Sequence, residues 1–108
     1  EIEQYGDGGS ARDYTGVGDV GEGIVRAMDR CRGWHVWNLG GSRPTTLASM
    51  VEAIGAGLGV RPRVRRLPNQ PGDVERTWAD ITRSAAELGY RPVTSLRDGI
   101  ARLFSPYL

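Results

Sequence analysis

Apolar residues recur with a helical period in three segments of the chain. The clearest helix is predicted between residues 46 and 59, where Thr45 or Thr46 supplies an N-cap and Gly59 a natural end. A second helix is predicted from Asp19 to Cys31, and a third after Ser95, which forms a capping box with Asp98. Their apolar faces are, in chain order, Val20, Ile24, Ala27, Met28 and Cys31; Leu47, Met50, Val51, Ile54 and Leu58; and Leu96, Ile100, Leu103 and Phe104.

Runs of branched and aromatic residues between these helices predict short strands. The strands are predicted over residues 2–5, 34–39 and 63–67, with a strand or extended connection over 12–15, and a short helix over 80–88. Strand–helix–strand units of this kind require parallel pairing with right-handed crossovers. The pattern therefore predicts an α/β fold, a small mixed lobe of short strands and about four helices. With so few strands, a neighbouring lobe is expected to cover part of the sheet.

The length of 108 residues suits a single domain, so residues 1–108 are taken as one lobe. No apolar run reaches the length of a membrane span and no signal segment stands at the start, which favours a cytoplasmic protein without a membrane partner. Because the chain starts at Glu1, it is expected to be a mature or excised segment. Cys31 and His35 are too few for a disulfide or a Cys/His zinc site, so no metal is expected.

All of the basic charge comes from arginine, since the chain has 14 Lys plus Arg and every one of them is Arg. This excludes a phosphate-loop lysine, a Schiff base and a Tyr-x-x-x-Lys dehydrogenase pair. The net charge of +1 is too small to favour nucleic acid, so no nucleic-acid partner is expected. One basic cluster is expected to be a solvated strand edge; it comprises Arg61, Arg63, Arg65 and Arg66.

Three groups of residues, in this order, resemble the extended short-chain dehydrogenase family of NAD-dependent nucleotide-sugar epimerases and dehydratases. The first is Tyr5-Gly6-Asp7-Gly8, Arg12-Asp13-Tyr14-Thr15 and Asp19-Val20; the second is Trp37-Asn38-Leu39-Gly40 with Pro44-Thr45; the third is Gln70-Pro71-Gly72-Asp73-Val74, Thr77-Trp78-Ala79-Asp80 and Glu87-Leu88-Gly89-Tyr90-Arg91-Pro92. The Gln-Pro-Gly-Asp-Val form is closest to the UDP-glucuronate and UDP-glucose 4-epimerases. The resemblance covers about the last third of a typical member.

The resemblance implies a binding site for a nucleotide sugar, a UDP-hexose or UDP-hexuronate. It assigns the diphosphate to Arg12, the ribose hydroxyls to Asp73 and a place beside the base to Tyr5. Gln70 stands where some relatives have a second diphosphate arginine, so an amide would replace a charge there. Arginine suits a diphosphate because its planar, permanently charged group donates two parallel hydrogen bonds.

Each of these residues also has an ordinary structural interpretation. Arg12 could be a surface arginine, Asp73 a turn residue and Tyr5 a core aromatic. The turn Gly40-Gly41-Ser42 precedes a helix and could attract an anion, but it lacks the full glycine-rich pattern and a lysine, so a tight structural turn is favoured.

The chain also departs from the family. The glycine-rich NAD turn and the catalytic Tyr-x-x-x-Lys are absent, so no catalytic or cofactor-binding residue is assigned, and NAD is expected on an N-terminal Rossmann domain of the parent protein. Gly16 and Gly18 stand where the family has an aromatic residue and an acid, which should cost packing and capping at the start of a helix.

Two classes of function follow from these features. The chain is the sugar-binding part of an enzyme, a 4-epimerase that oxidises and re-reduces C4 or a related dehydratase or reductase. Alternatively, it is a truncated, non-catalytic paralogue that acts as a binding or interaction module.

Overall fold

Four α-helices and two small sheets make up residues 1–107, the part of the chain that the computed structural model describes. The strand Ile2–Tyr5 pairs with Val64–Leu67 in parallel, with Ile2 opposite Val64, and the strand Ala11–Arg12 pairs with Thr45–Thr46 in antiparallel, with Ala11 opposite Thr46. This arrangement confirms the predicted small mixed α/β lobe. The elements are β1 (Ile2–Tyr5), β2 (Ala11–Arg12), α1 (Val17–Arg30), β3 (Thr45–Thr46), α2 (Leu47–Leu58), β4 (Val64–Leu67), α3 (Thr82–Leu88), α4 (Leu96–Phe104) and a 3₁₀ turn (Ser105–Tyr107).

Helices α2 and α4 begin where their sequences predict, and α2 also ends there. The Thr46 side chain accepts a hydrogen bond from the Ser49 backbone N–H at 3.2 Å, and α2 ends at Gly59, whose φ of +70° is the left-handed conformation that glycine tolerates. The Ser95 hydroxyl accepts from the Asp98 N–H at 3.1 Å at the start of α4. These ends depend only on neighbouring residues, so sequence rules capture them.

Helix α1 departs from its prediction at both ends. It begins two residues early, at Val17, after an N-cap residue, Gly16, that has no side chain to accept a hydrogen bond. The expected cost in capping at Gly16 is therefore visible in the structure. The helix ends at Arg30 and Cys31 is extended, so the predicted end at Cys31 is one residue too late.

Residues 34–39 do not form the predicted strand. Within the described residues their backbone N–H groups donate no hydrogen bond, and the segment is held to α3 by side chains instead. Trp37 donates through Nε1 to Glu87 at 3.3 Å and stacks on His35, with ring centroids 4.8 Å apart. A strand is defined by its pairing, and no neighbouring strand lies beside this segment in residues 1–107.

The lobe is thin and has a small core. Its radius of gyration is 16.4 Å and its smallest dimension is 15 Å, whereas a compact domain of this length has a radius of about 13 Å. The buried apolar side chains are Ala11, Leu88, Tyr90 and Ile100. Of the predicted inner face of α4, Ile100 is buried but Leu103 is 63% exposed, so that part of the prediction is wrong.

Helix α1 turns its polar side to the rest of the chain. Buried Asp19 and Gly23 lie on that side, and Arg26 donates from it to the backbone oxygen of Leu88 at 3.2 Å. Met28 follows Asp19 by two and a half turns, so it lies on the opposite side, at about 3.6 residues per turn. The exposed side, called here the apolar face of α1, consists of Val17, Ile24, Val25 and Met28.

The basic cluster lies at the solvated strand edge that the sequence predicts. All four of its arginines are exposed, and Arg65 pairs with Glu1 and Glu3 across the parallel strands. None of the helices in residues 1–107 combines the length and the apolar character needed to cross a membrane.

Candidate functional site

Arg12 and Asp73 contact each other although 61 residues separate them in the chain. Arg12 Nη2 lies 2.8 Å from Asp73 Oδ1, and Arg12 Nη1 donates to the backbone oxygen of Ala11 at 2.8 Å. The two side chains are 32% and 47% exposed. An ion pair this exposed contributes only about 0.2–1 kcal/mol to folding, so stability alone gives little reason to keep it.

The pair still has hydrogen-bonding capacity that faces solvent. An arginine has five N–H donors, and the two recorded bonds of Arg12 leave three of them. Asp73 Oδ2 accepts no hydrogen bond within residues 1–107. The site thus presents cationic donors and an anionic acceptor side by side, the combination that a phosphorylated molecule with adjacent hydroxyls requires.

Tyr5 and Gln70 lie at the same end of the parallel strand pair. Tyr5 ends β1 opposite Leu67, the last residue of β4, and Gln70 follows three residues later. The Asp73 N–H donates to the Gln70 backbone oxygen at 3.2 Å, so these two residues share one turn. Within the described residues neither the Tyr5 nor the Gln70 side chain hydrogen-bonds to the Arg12–Asp73 pair. Tyr5 is 42% exposed, which argues against the core interpretation.

Backbone hydrogen bonds fix the strand that carries Arg12 to the segment that carries Asp73. The Ala11 N–H donates to the Glu75 oxygen at 2.8 Å, and the Thr77 N–H donates to the Ala11 oxygen at 3.1 Å. Ala11 is almost fully buried. The separation between Arg12 and Asp73 therefore depends on how firmly residues 75–79 hold β2.

A second carboxylate, that of Asp13, lies behind this junction and accepts hydrogen bonds from three segments. Its Oδ2 accepts from the backbone N–H groups of Ser42 at 2.8 Å and Ala79 at 3.1 Å. Its Oδ1 accepts from the Gly41 N–H at 3.0 Å and the Thr15 hydroxyl at 3.3 Å. These five residues are called here the Asp13 cluster.

The hydrogen bonds of the cluster determine the charge of Asp13. Burial alone would raise the pKa of this carboxyl, but the donors from Ala79, Ser42, Gly41 and Thr15 outweigh burial and hold the pKa below its ordinary value of 3.8. A lowered pKa means that the carboxylate stabilises the fold above the ordinary value and loses that contribution as the pH falls through the lowered one. Asp13 is therefore an anion at neutral pH.

The turn Gly40-Gly41-Ser42 does bind an anion, and that anion is the chain's own Asp13. A Cβ on Gly40 would lie 2.8 Å from Asp13 Oδ2, and one on Gly41 would lie 2.8 Å from Asp13 Oδ1, so both positions suit glycine. Ser42 has a φ of +59°, an uncommon conformation for a non-glycine residue, and its N–H donates to Asp13. Because Asp13 fills the turn, these residues do not fit the diphosphate of NAD.

Sequence reasoning missed Asp13, although it quoted the residue within a motif. It also gave no role to buried Tyr90, whose hydroxyl donates to the Gly40 oxygen at 2.8 Å on the other side of the turn. Burial, followed by the negative charges of Asp19 and Asp13, raises the pKa of Tyr90. Two features of the sequence could have been combined: Asp13 had no assigned role, and the Gly40-Gly41-Ser42 turn had the form of an anion site with no anion assigned to it.

A cavity lies beside Gly16 and Gly18, the two glycines at the start of α1 that depart from the family. It has a volume of about 550 Å³ and lies between the start of α1, Met50 of α2 and one side of α4, including Ile100. A Cβ on Gly18 would have no heavy atom within 4 Å, so the second glycine faces open space. This cavity does not include Arg12 or Asp73.

Within residues 1–107 no group of three or more His, Cys, Asp or Glu side chains could hold a metal ion.

Known proteins match nearly all of this chain but only about a third of their own length. No protein-family model matches it. The uncharacterized protein MJ1055 of Methanocaldococcus jannaschii is 38% identical over 108 residues, which is 100% of this chain and 33% of that protein. The UDP-glucuronate 4-epimerase of Thermodesulfobacterium geofontis is 30% identical over 102 residues, 94% of this chain and 31% of that enzyme.

A solved structure gives the same result for the fold. The UDP-glucuronic acid 4-epimerase from Bacillus cereus, in complex with UDP-glucuronic acid and NAD, superposes with a TM-score of 0.82 at 30% identity. The superposition covers 91% of this chain and 32% of that chain.

Proposed function

We propose that this chain, which matches the C-terminal portion of NAD-dependent UDP-sugar 4-epimerases in the extended short-chain dehydrogenase family, is the nucleotide-sugar-binding part of such an enzyme. The proposal depends on one observation, the contact between Arg12 and Asp73 at a solvent-facing junction. Both residues came from motifs that are far apart in the sequence, and they meet where one diphosphate-ribosyl group can contact both.

Each side chain has a defined role in this proposal. The remaining N–H groups of Arg12 donate to the diphosphate, and Asp73 Oδ2 accepts from a ribose hydroxyl. Tyr5 lies beside the base, and Gln70 contributes a neutral hydrogen bond from the same turn as Asp73. The chain's residues bind and orient the nucleotide; NAD supplies hydride chemistry when it is bound elsewhere in the parent protein.

Titration of the chain with UDP tests this assignment. The amide chemical shifts of the chain report the binding, which is expected to be weak. Arg12→Ala should weaken the affinity for UDP about 10- to 100-fold, because a charge-assisted hydrogen bond is lost. Arg97→Ala is the matched control, since Arg97 is an exposed arginine on α4 and its loss changes the net charge equally. Equal effects of the two substitutions would remove Arg12 from the site.

Asp73→Asn separates the proposed role of Asp73 from a purely ionic one. If Asp73 accepts from the ribose, the amide should bind UDP more weakly, with a smaller penalty for 2′-deoxy-UDP. If Asp73 only neutralises Arg12, removing its charge should strengthen diphosphate binding. Tighter binding by the Asn variant would contradict the ribose assignment.

The proposed partner within the parent protein is an N-terminal Rossmann domain with a sheet edge. Two features support it: the apolar face of α1, and the backbone N–H groups of residues 34–39, which donate no hydrogen bond within residues 1–107. Residues 34–39 pack against α1 on its buried side, at Gly23, where a Cβ would lie 2.7 Å from Leu39 Cδ2. A parallel sheet could bind both: the strand at its edge would pair with residues 34–39, and its face would cover the apolar side chains of α1. Trp34, 85% exposed, extends this surface.

A further inference from the structure

We propose that Asp13 is a positioning residue that sets the separation between Arg12 and Asp73. This inference rests on the proposed function, because the separation matters only if Arg12 and Asp73 bind the same nucleotide. Within residues 1–107 the Asp13 carboxylate hydrogen-bonds to neither side chain of the pair. It acts through the two backbone segments that carry them.

The first step is the position of Asp13. It directly follows β2, and its carboxylate lies against the Gly40-Gly41-Ser42 turn, from which Gly41 and Ser42 donate to it. Four hydrogen bonds hold the Asp13 carboxylate there, and a held Asp13 fixes the position from which the Arg12 side chain departs.

The second step concerns the other segment. The Ala79 N–H donates to Asp13 Oδ2, and the Thr77 N–H donates to the Ala11 oxygen. The chain from Asp73 to Ala79 is therefore held at Ala11 of β2 and, two residues further along, at Asp13. The second attachment restricts pivoting of the segment about Ala11, and with it movement of Asp73 relative to Arg12.

The third step is that no uncharged substitute fits. Asp13 Oδ1 accepts from the Gly41 N–H, and Oδ2 accepts from the N–H groups of Ser42 and Ala79. An asparagine would therefore turn its NH₂ group towards a backbone N–H in either orientation. A longer glutamate would collide with the turn, because there is room at Gly40 and Gly41 only for hydrogen atoms. The position therefore requires the length and charge of aspartate.

Asp13→Asn in the full chain tests the proposal, with Asp19→Asn as the matched control. Asp19 is a second hydrogen-bonded aspartate, buried rather than half-buried. It accepts from the Thr94 N–H at 2.9 Å and the Thr94 hydroxyl at 3.2 Å, but it lies on α1. Amide hydrogen exchange should accelerate about tenfold or more at Thr77 and Ala11 in Asp13→Asn, beyond the change in α2 and α4. Asp19→Asn should accelerate exchange at Thr94 instead.

UDP affinity supplies the functional readout, measured on the folded fraction of each variant. Asp13→Asn should weaken it about tenfold, and Asp19→Asn should leave it within about twofold. If Asp13→Asn does not fold, Thr15→Val removes one donor from the Asp13 cluster at nearly constant volume and should shift both readouts in the same direction by a smaller amount.

The outcomes distinguish this inference from the proposed function. If the unsubstituted chain binds no UDP, the proposed function fails, while the exchange rates at Thr77 and Ala11 still decide whether Asp13 aligns the segments. If Asp13→Asn and Asp19→Asn accelerate exchange at Thr77 equally, Asp13 contributes only general stability and the inference is overturned.

Discussion

The Asp13 cluster and the apolar face of α1 differ in which groups the chain itself covers. The cluster half-buries a charged carboxylate, and both of its oxygens are hydrogen-bonded. The face places four apolar side chains in solvent, and Met28 is 75% exposed. The contrast indicates that polar contacts shape the inside of this lobe, while much of its apolar surface is available to something outside the described residues.

Removing a core side chain should have the largest effect. Leu88, the last residue of α3, is fully buried, so Leu88→Ala should lower the free energy of unfolding by about 2–5 kcal/mol through lost burial and a residual cavity. Urea unfolding at neutral pH measures this change. Leu103→Ala is the matched control, because Leu103 is 63% exposed and its loss should cost no more than about 0.5 kcal/mol.

This pair of variants could break the comparison between inside and outside. If Leu103→Ala is as costly as Leu88→Ala, the exposed apolar residues are covered in solution, by another copy or by rearrangement. An unfolding midpoint for Leu103→Ala that depends on protein concentration would identify self-association as the cause.

Two glycine substitutions compare the Asp13 cluster with the start of α1, and they should change the free energy of unfolding less than Leu88→Ala does. A methyl group on Gly40 would lie 2.6 Å from Ala79 Cβ and 2.8 Å from Asp13 Oδ2, so Gly40→Ala should destabilise the lobe by about 1–3 kcal/mol. Gly18→Ala makes the same chemical change in open space near the start of α1. It should stabilise by up to about 1 kcal/mol, because alanine is the better helix former.

Thermal unfolding of the two glycine variants gives the sign of each change. Opposite signs would establish that the Gly40 turn is shaped around the Asp13 carboxylate and that the start of α1 is not packed. A neutral Gly40→Ala would mean that the turn can open without disturbing Asp13.

Local and non-local features differ in how far the sequence predicts them. The caps at Thr46 and Ser95 follow from residues three positions away, and both predictions are confirmed. The strand over 34–39 is wrong because pairing needs a second segment. The resemblance to the epimerase family is confirmed as a match to its C-terminal portion.

The candidate site follows the same division. Motif order directed attention to Arg12 and Asp73, but their contact depends on hydrogen bonds between β2 and residues 75–77 that no motif encodes. The roles of Tyr5 and Gln70 stay predictions. Asp13 escaped notice because its donors come from three separate segments, and a single sequence does not indicate which backbone N–H groups converge.

A charge on the apolar face of α1 should have the smallest effect in the isolated chain. Met28→Glu replaces an exposed side chain, so the free energy of unfolding should change by no more than about 0.5 kcal/mol. The control, Ala56→Glu, makes an exposed substitution on α2. A loss above about 1 kcal/mol for Met28→Glu alone would mean that the face packs within this chain, contrary to the proposed docking surface.

The effect should become large only when a sheet covers the face. A chimera in which this chain replaces the corresponding third of the Thermodesulfobacterium geofontis enzyme provides that sheet. There Met28→Glu would bury a charge without a partner, and the melting temperature should fall by at least ~2 °C relative to Ala56→Glu, about the shift expected from 1 kcal/mol in a large domain. Equal melting temperatures would show that the Rossmann domain does not bind this face, and the exposure of Met28 would then need another explanation.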